Sequence, residues 1–511
     1  MHRKPPMEQH HPRSAHQDVD GKGLKSGQLG LLAIVVIGLS TIAPAYTLTG
    51  ALGPTVQEVG AQLPIIFVIG FIPMILVALA YRELNTDSPD SGTTFTWSTK
   101  AFGPWIGFMG GWGLLAANII VLSNLAGVAV DFFYLFLAQV TGVEGLADLA
   151  SNQWINVATC LVFVVAAVWI SYRGLETAKN VQYVLVGFQL LVLGLFAIMA
   201  IVNWENSGQG MAFSWDWFDI TKVDSFSAIT AGISLSIFVY WGWDVCLTLN
   251  EEAKDGRKTA GKAGTITALS VLAIYLLVAI ACIMFAGIGE QGFGLRNPEN
   301  SGNIFTALAS PIMGPLAILM SLAVLSSSAA SLQSTFMSPA RGLLAMGHYG
   351  ALPKSMAKVD PVHFTPANAT VAAGVISWGF YAVMHIVSQN VLNDTILALG
   401  LMICFYYGLT AFACVWYFRK TLLASPRNFL LRGLAPVVGG IMLFVVMIQT
   451  AVDSWDPAFG SGTSVFGVGL VFVVGVGILL LGVVVMLVMS RKRPEFFRGQ
   501  TLKMDTPALV D

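Results

Sequence analysis

A carboxylate lies inside a long apolar stretch of the sequence, directly beside a cluster of aromatic residues. Asp244 follows the segment 240–243, which reads Tyr-Trp-Gly-Trp, and most of residues 225–249 are apolar. A carboxyl group at membrane depth is costly and is usually retained for function. Gly242 also lowers helix propensity at this point. The pattern predicts an interrupted membrane helix, and such helices are typical of binding sites for solutes that cross the membrane.

Two roles for Asp244 stay open from the sequence. Desolvation favours the neutral form of a buried carboxyl, and a carboxyl that can be neutral near physiological pH can carry a proton. Our hypothesis is therefore that Asp244 takes part in proton coupling. The alternative is a structural acid that pairs with a neighbouring hydroxyl or a helix terminus.

A second interruption is predicted in the first apolar span, 28–52, where Gly38, Ser40, Thr41, Pro44 and Tyr46 fall near the middle. Pro44 has no N–H group and clashes with a continuing helix. In hydrocarbon, the backbone groups freed by a break are tolerated only where they line a cavity or meet protein. Breaks in the first and sixth spans indicate an inverted-repeat transporter. Two kinks without functional meaning are the alternative.

The composition is that of a membrane protein. Of 511 residues, 55% are hydrophobic and 11% charged, against about 25% charged in soluble domains. Mean hydropathy is +0.72, which makes membrane lipid an expected partner. The net charge of −1 gives no support for nucleic acid as a partner. All five cysteines fall in apolar runs, so we expect neither disulfides nor a metal cluster.

About twelve apolar runs reach the length of roughly 20 residues that spans a bilayer. The predicted spans are 28–52, 62–82, 104–136, 154–173, 175–202, 225–249, 264–288, 313–345, 367–387, 391–418, 434–452 and 464–490. With the N-terminus inside, the cytoplasmic loops and tails hold 25 of the 27 Lys and Arg residues, all but Lys222 and Arg296. The positive-inside rule therefore predicts a multi-pass protein of the cell (plasma or inner) membrane with both termini cytoplasmic. The His-containing N-terminal tail is interpreted as solvated, with metal binding as the alternative.

These observations predict an all-α polytopic membrane protein with the following organisation. A cytoplasmic polar tail occupies 1–27, a first repeat of five helices 28–202, a second repeat of five helices 225–418, two further helices 434–490, and a cytoplasmic tail 491–511.

Three stretches of the sequence resemble the amino acid–polyamine–organocation (APC) permeases. They are 88–112 (SPDSGTTFTWSTKAFGPWIGFMGGW), 238–263 (FVYWGWDVCLTLNEEAKDGRKTAGKA) and 338–366 (SPARGLLAMGHYGALPKSMAKVDPVHFTP). The resemblance implies a LeuT-like fold: a 5+5 inverted repeat with broken helices 1 and 6, plus two peripheral helices. It also implies a secondary-active amino acid permease that works by alternating access, with a polyamine or amine transporter, or a non-transporting sensor, as alternatives.

The resemblance also implies a substrate site at the two breaks. In the family, amides of the first break hold the substrate carboxylate. Here Pro44 stands at one of the matching positions and cannot donate. The remaining candidates are the amides of Ala43, Ala45 and Tyr46 and the hydroxyls of Ser40 and Thr41.

In the sixth helix, carbonyls near Phe238 and Trp241 are implied to receive the substrate amine. Tyr240 and Trp241, flanking Gly242, would cap the pocket, because an aromatic face suits a cation or an apolar side chain. Packing of these rings in the bundle is the alternative. Asn118, midway along the third helix, is implied to face the pocket.

The coupling ion, H⁺ or Na⁺, is left open by the residues. Gln189 stands where some proton-coupled relatives place a buried Lys. Ser327 and Ser328 carry hydroxyl oxygens suited to a small cation, although packing of small residues is the alternative. At the cytoplasmic end, Glu251 and Glu252 are expected to form a solvated ion-pair network with Arg257 and Lys258.

Other classes of function have little support in the sequence. We find no glycine-rich phosphate loop with its Lys, so nothing indicates ATP as the driving force. A membrane enzyme would need a cluster of titratable groups, and a channel would more often carry a charged ring or a pore-lining repeat. We therefore expect no enzymatic activity and no cofactor, and a small-molecule substrate, an amino acid or an amine, as the partner.

Overall fold

The computed structural model describes residues 21–388 and 390–509. Residues 1–20, which hold the His residues of the N-terminal tail, lie outside this part of the chain. The fold is all-α. A short antiparallel hairpin of two strands, β1 (Ser464–Val465) and β2 (Val468–Gly469), joins the last two long helices. The α-helices, labelled in chain order, are α1 Leu31–Ile42, α2 Pro44–Val59, α3 Leu63–Asp87, α4 Thr94–Phe102, α5 Pro104–Thr141, α6 Gln153–Tyr172, α7 Leu175–Val202, α8 Phe226–Val239, α9 Val245–Thr248, α10 Gly256–Ala286, α11 Pro298–Ser301, α12 Ile304–Met313, α13 Ala317–Thr335, α14 Met337–His348, α15 Ala367–Val387, α16 Val391–Tyr417, α17 Pro426–Asn428, α18 Ala435–Asp453, α19 Leu470–Lys492 and α20 Pro494–Phe497.

The first span is broken where the sequence predicts. Helix α1 ends at Ile42, Ala43 takes a left-handed conformation with φ 54°, and α2 begins at Pro44. Pro44 is tolerated as the first residue of α2 because an N–H at this position would have no intrahelical acceptor. The break turns the chain without ending the span.

The sixth span is broken as well. Helix α8 ends at Val239, residues 240–244 form turns, and the short α9 follows. Gly242 has φ 113°, a conformation that a side chain makes costly. The predicted interruption beside Asp244 is therefore present in the structure.

The run from Leu31 to Asp87 begins and ends at the same end of the bundle. Near its start, the Lys22 ammonium lies 2.9 Å from Asp90, which follows α3. Near its end, Asn85 donates to the carbonyl of Gly256 at 2.8 Å. Between α2 and α3, Gln62 contacts Asp216, far along the chain in the loop before α8. The run therefore crosses the bundle and returns.

Ten helical stretches are long and apolar enough to span a membrane, counting Leu31–Asp87 as one, and Phe226–Val239 is a shorter apolar helix. These figures cover the described residues. The protein is a multi-pass membrane protein, whereas the count of twelve spans and the inverted repeat stay predictions. Helix α4, within the loop 82–103, was not anticipated by the sequence.

The end of the bundle that carries residues 82–103 and 250–263 is called the basic end below. Parts of both terminal segments pack there. Lys22 and Leu24 are buried, so the prediction of a solvated tail is wrong for these residues. In the C-terminal segment, Phe496 and Phe497 are buried, and the Lys100 ammonium donates to the carbonyl of Thr506 at 2.7 Å.

Candidate functional site

The two helix breaks touch one another inside the bundle. A Cβ atom added to Gly242 would lie 3.1 Å from Cγ2 of Thr41 and 3.3 Å from the backbone N of Ile42. Only a residue without a side chain allows this approach and the positive φ together. Gly242 is thus the point at which the sixth span meets the first.

Hydroxyl groups of α13 hold the backbone of the first break. Ser331 donates to the carbonyl of Thr41 at 2.7 Å, and the amide of Tyr46 donates to the hydroxyl of Ser327 at 3.3 Å. Within the span, Thr47 donates to the carbonyl of Ile42. The amide of Ala45, in the first turn of α2, has no acceptor within its own helix. The Ala43 amide donates to the carbonyl of Leu39 at 3.0 Å, so the Ala45 amide is the candidate donor that is left at this break.

A buried glutamine of α7 connects the first span to α13. Ser40 donates to Oε1 of Gln182, whose Nε2 donates to the carbonyl of Ala330 at 3.0 Å and to Oε1 of Gln333 at 2.6 Å. Gln189, which the sequence singled out, lies seven residues further along α7. It is fully buried, and its amide has no hydrogen-bond partner among the described residues. Gln182, not Gln189, therefore makes the contact with the first break.

The second break is connected to α16 through Asp244. The hydroxyls of Tyr407 and Tyr406 donate to its two carboxylate oxygens at 2.9 and 3.2 Å. The indole N–H of Trp241 donates to the Tyr406 hydroxyl at 2.5 Å. A hydrogen-bonded chain thus runs from Trp241 to Asp244. This is the hydroxyl pairing that the sequence left open as an alternative.

The aromatic residues of the second break differ in what they face. Tyr240 donates to the carbonyl of Phe67 at 3.0 Å, so its ring packs against α3. Phe238 meets the ring of Tyr46 edge-on at 6.5 Å, across the two breaks. Its carbonyl already accepts from the amide of Trp241 at 3.0 Å. Phe238 and Tyr46 are therefore the aromatic rings that meet across the two breaks, and Trp241 lies in the second break itself.

Two further predicted residues use their hydrogen bonds within their own helices. Asn118 is fully buried and donates to the carbonyl of Leu114 at 2.8 Å. Its Oδ1 atom has no partner in the part of the chain that the structure describes. Ser328 donates to the carbonyl of Val324 at 2.9 Å, so its hydroxyl bonds within α13.

A cavity of about 210 Å³ lies on the side of the breaks away from the basic end. Among its lining residues are Gly50 and Glu58 of α2, Leu235 of α8 and Leu397 of α16. Leu235 precedes Phe238 by one helical turn, so the cavity leads toward the breaks. We call it the vestibule.

Buried ion pairs close the basic end. Glu251 lies 2.6 Å from the Lys22 ammonium, and Glu252 pairs with Arg341. Both acids are at most 2% exposed, so the expectation of a solvated network is wrong for them.

Burial raises the pKa of Asp90, but Lys22 and two hydroxyl donors outweigh that effect and hold the pKa below its usual value.

Sequence reasoning missed the residues that complete each break. Gln182 lies on the same face of α7 as Gln189, two turns away, and both amides were visible in one apolar run. Adjacent tyrosines in the middle of an apolar span, Tyr406 and Tyr407, were a further signal, because a buried phenol needs a hydrogen-bond partner.

Comparison with known proteins decides the family. The sequence model of the amino acid permease family matches residues 29–475. The chain belongs to the amino acid permease family. Similar proteins include the branched-chain amino acid permease BcaP of Bacillus subtilis, 26% identical over 70% of this chain and 74% of the relative. The low-affinity putrescine importer PlaP of Escherichia coli is 25% identical over 77% of this chain and 82% of the relative.

The fold of this permease is that of LeuT-like transporters. A crystal structure of MhsT in complex with L-phenylalanine aligns with a TM-score of 0.60 at 14% identity, over 83% of this chain and 100% of MhsT. The permease is a transporter and not an enzyme.

Proposed function

We propose that this permease is a secondary-active transporter of the cell membrane that takes up an amino acid by alternating access. The distribution of Lys and Arg supports an orientation with both termini in the cytoplasm. The observation that carries the proposal is the contact between the two breaks at Gly242. Unwound backbone at membrane depth is tolerated only where it is buried in protein or lines a cavity, and paired broken helices are typical of transporter binding sites.

The two ends of the bundle support alternating access. At the basic end, the buried acids Glu251 and Glu252 form ion pairs with Lys22 and Arg341. At the other end, the vestibule approaches the breaks. We interpret this arrangement as facing outward, and transport then requires these pairs to separate when the basic end opens.

The preferred substrate is a neutral amino acid with an apolar side chain. Phe238, Trp241 and Tyr46 offer aromatic surface, and the amide of Ala45 offers a donor for a carboxylate. Both carboxylate oxygens of Asp244 already accept a hydrogen bond from a tyrosine, so they are less available to pair with a dication. BcaP, named for branched-chain amino acids, is consistent with this choice.

An amine transporter is the second candidate. Pro44 removes one donor from the first break, which matters less for a substrate without a carboxylate. Glu58 lines the vestibule and would attract a cation, and PlaP is a putrescine importer.

We propose the proton as the coupling ion and Asp244 as the group that carries it. Asp244 is 1% exposed and is joined to Trp241 through Tyr406, so a movement of Trp241 around a substrate would alter the hydrogen bonds of the carboxyl. A sodium ion has less support. Its candidate oxygen ligands already make hydrogen bonds, because the carbonyl of Thr41 accepts from Ser331 and the hydroxyl of Ser328 donates within its own helix.

The test is uptake by the full-length protein in proteoliposomes, with L-leucine, L-phenylalanine and putrescine as labelled probes and proton and sodium gradients imposed in turn. We expect saturable uptake of the two amino acids that responds to the proton gradient and not to sodium. Uptake of putrescine alone would favour the amine candidate. Binding of all probes without flux would contradict transport and favour a sensor.

A further inference from the structure

A second polar cavity, of about 390 Å³, lies beside the vestibule. It is enclosed by the C-terminal half of α5, the start of α6, the end of α15 and the residues that lead into α16. Asn390 and Leu392 line both cavities. It therefore opens at the end of the bundle opposite the basic end, and we call it the side cavity.

One face of α5 supplies the polar groups of the side cavity. Asn124, Gly127, Val128 and Asp131 line it at helical spacing. Asp131 is exposed although it lies within the span Pro104–Thr141. An ionisable group within a membrane-spanning helix that faces a cavity is a functional-site hypothesis by default.

Asn124 provides an unsatisfied donor in the same cavity. It is 2% exposed, and its Oδ1 accepts from the hydroxyl of Thr395 at 2.7 Å. Its Nδ2 has no hydrogen-bond partner among the residues that the structure describes. Leaving a buried donor unpaired is costly, so a ligand oxygen that reached this amide would be stabilised by it.

An aromatic pair from α15 packs against this face of α5, where a Cβ atom added to Gly127 would lie 2.7 Å from the Tyr381 ring. The rings of Tyr381 and His385 stack at 5.3 Å. Tyr381 donates to Oδ1 of Asn156 at 2.6 Å, and Nδ2 of Asn156 donates to the carbonyl of Ala150 at 2.8 Å. An aromatic face close to a carboxylate favours an organic cation.

From this arrangement we propose that the side cavity is a second binding site for a small ligand that carries a primary ammonium group. The ammonium pairs with Asp131 near the Tyr381 ring, and an oxygen at the other end of the ligand accepts from Asn124. An amino acid and an amine share this chemistry. The ligand class rests on the proposed function, but the site is separate from the helix breaks, because it is built by α5, α6 and α15.

Protection of a thiol at the rim tests the site. The five native cysteines are buried and free. A cysteine is introduced by Gln153→Cys, at a position that lines the side cavity, and its labelling rate by N-ethylmaleimide is measured on the full-length protein. The probes are L-leucine, putrescine and butyrate, the last of which has no ammonium group.

We expect L-leucine or putrescine to slow labelling and butyrate to have no effect. Asp131→Asn should raise the ligand concentration that gives half-protection about tenfold or more, because the variant loses a charge-assisted hydrogen bond to the ammonium group. Asp148→Asn, an exposed acid of the neighbouring loop, should leave protection unchanged. Trp241→Ala, which alters the helix breaks, should also leave it unchanged.

Three results would overturn the second site: no protection of the parent by either ammonium probe, equal protection of Asp131→Asn, or loss of protection in Trp241→Ala. An unchanged unliganded labelling rate and elution volume show that Asp131→Asn is folded. Protection without uptake in proteoliposomes would contradict transport while supporting this site, so the two failures are distinguishable.

Discussion

The two helix breaks are built from different chemistry. At the first, neutral groups from α7 and α13 hold the backbone: Gln182 accepts from Ser40, and Ser331 donates to the carbonyl of Thr41. At the second, an ionisable group lies beside the break and is held by two phenols of α16. The first break is thus held by neutral groups, whereas the second is held through an ionisable carboxyl, that of Asp244.

This difference indicates a division of labour between the breaks. The groups that hold Ser40 and the Thr41 carbonyl at the first break are neutral, so protonation does not alter these hydrogen bonds. At the second break, the charge of Asp244 is tied to Trp241 through a single hydroxyl, that of Tyr406. Variants of each break should therefore differ in what they affect.

The largest effect is expected where the breaks touch. Gly242→Ala places a Cβ about 3.1 Å from Thr41 at a φ of 113°, and such strain costs about 1–3 kcal/mol. Uptake per reconstituted protein should fall about tenfold or more. Gly187→Ala in α7, whose added Cβ meets nothing within 4 Å, is the matched control. Parent-like uptake by Gly242→Ala would contradict the importance of this contact.

The next effect is expected at the carboxyl of the second break. Asp244→Asn keeps the shape of the side chain but cannot release a proton. A gradient of one pH unit can drive about tenfold accumulation per proton, and we expect this component to disappear while exchange without a gradient remains. Equal proton-driven accumulation by Asp244→Asn and the parent dismisses Asp244 as the proton carrier.

A smaller effect should separate the two glutamines of α7. Gln182→Met removes hydrogen bonds to Ser40, Ala330 and Gln333, and we expect a loss of about 1–3 kcal/mol of stability. Gln189→Met removes a buried amide with no partner among the described residues and should be neutral or stabilising. Thermal unfolding in detergent measures both. The reverse order would show that Gln189 contributes more to stability than Gln182.

The smallest effect should separate two serines of α13. Ser331→Ala leaves the Thr41 carbonyl without its donor, and unfolding should become easier by about 1 kcal/mol. Ser328→Ala removes a hydroxyl that bonds within its own helix, so both unfolding and uptake should stay near the parent. Similar losses in both variants would mean that the first break does not depend on this donor.

Local chemistry predicted both breaks, because Pro44 and Gly242 disfavour a continuous helix wherever the rest of the chain lies. Burial of the ion pairs was not predictable, since Lys22 and Glu251 are 229 residues apart in sequence and meet only in the folded bundle. The seven-residue spacing of Gln182 and Gln189 puts both on one face of α7. Which of them reaches the first break depends on how α7 packs against α13, and that information is tertiary.

The central claim is that substrate occupies the space between the two breaks and is reached from each side in turn. Counterflow of labelled L-leucine into proteoliposomes preloaded with unlabelled L-leucine measures this directly. We predict counterflow by the parent and by Trp416→Ala, which alters a half-exposed Trp near the end of α16, and none by Trp241→Ala. Counterflow by Trp241→Ala at the parent rate would contradict the account.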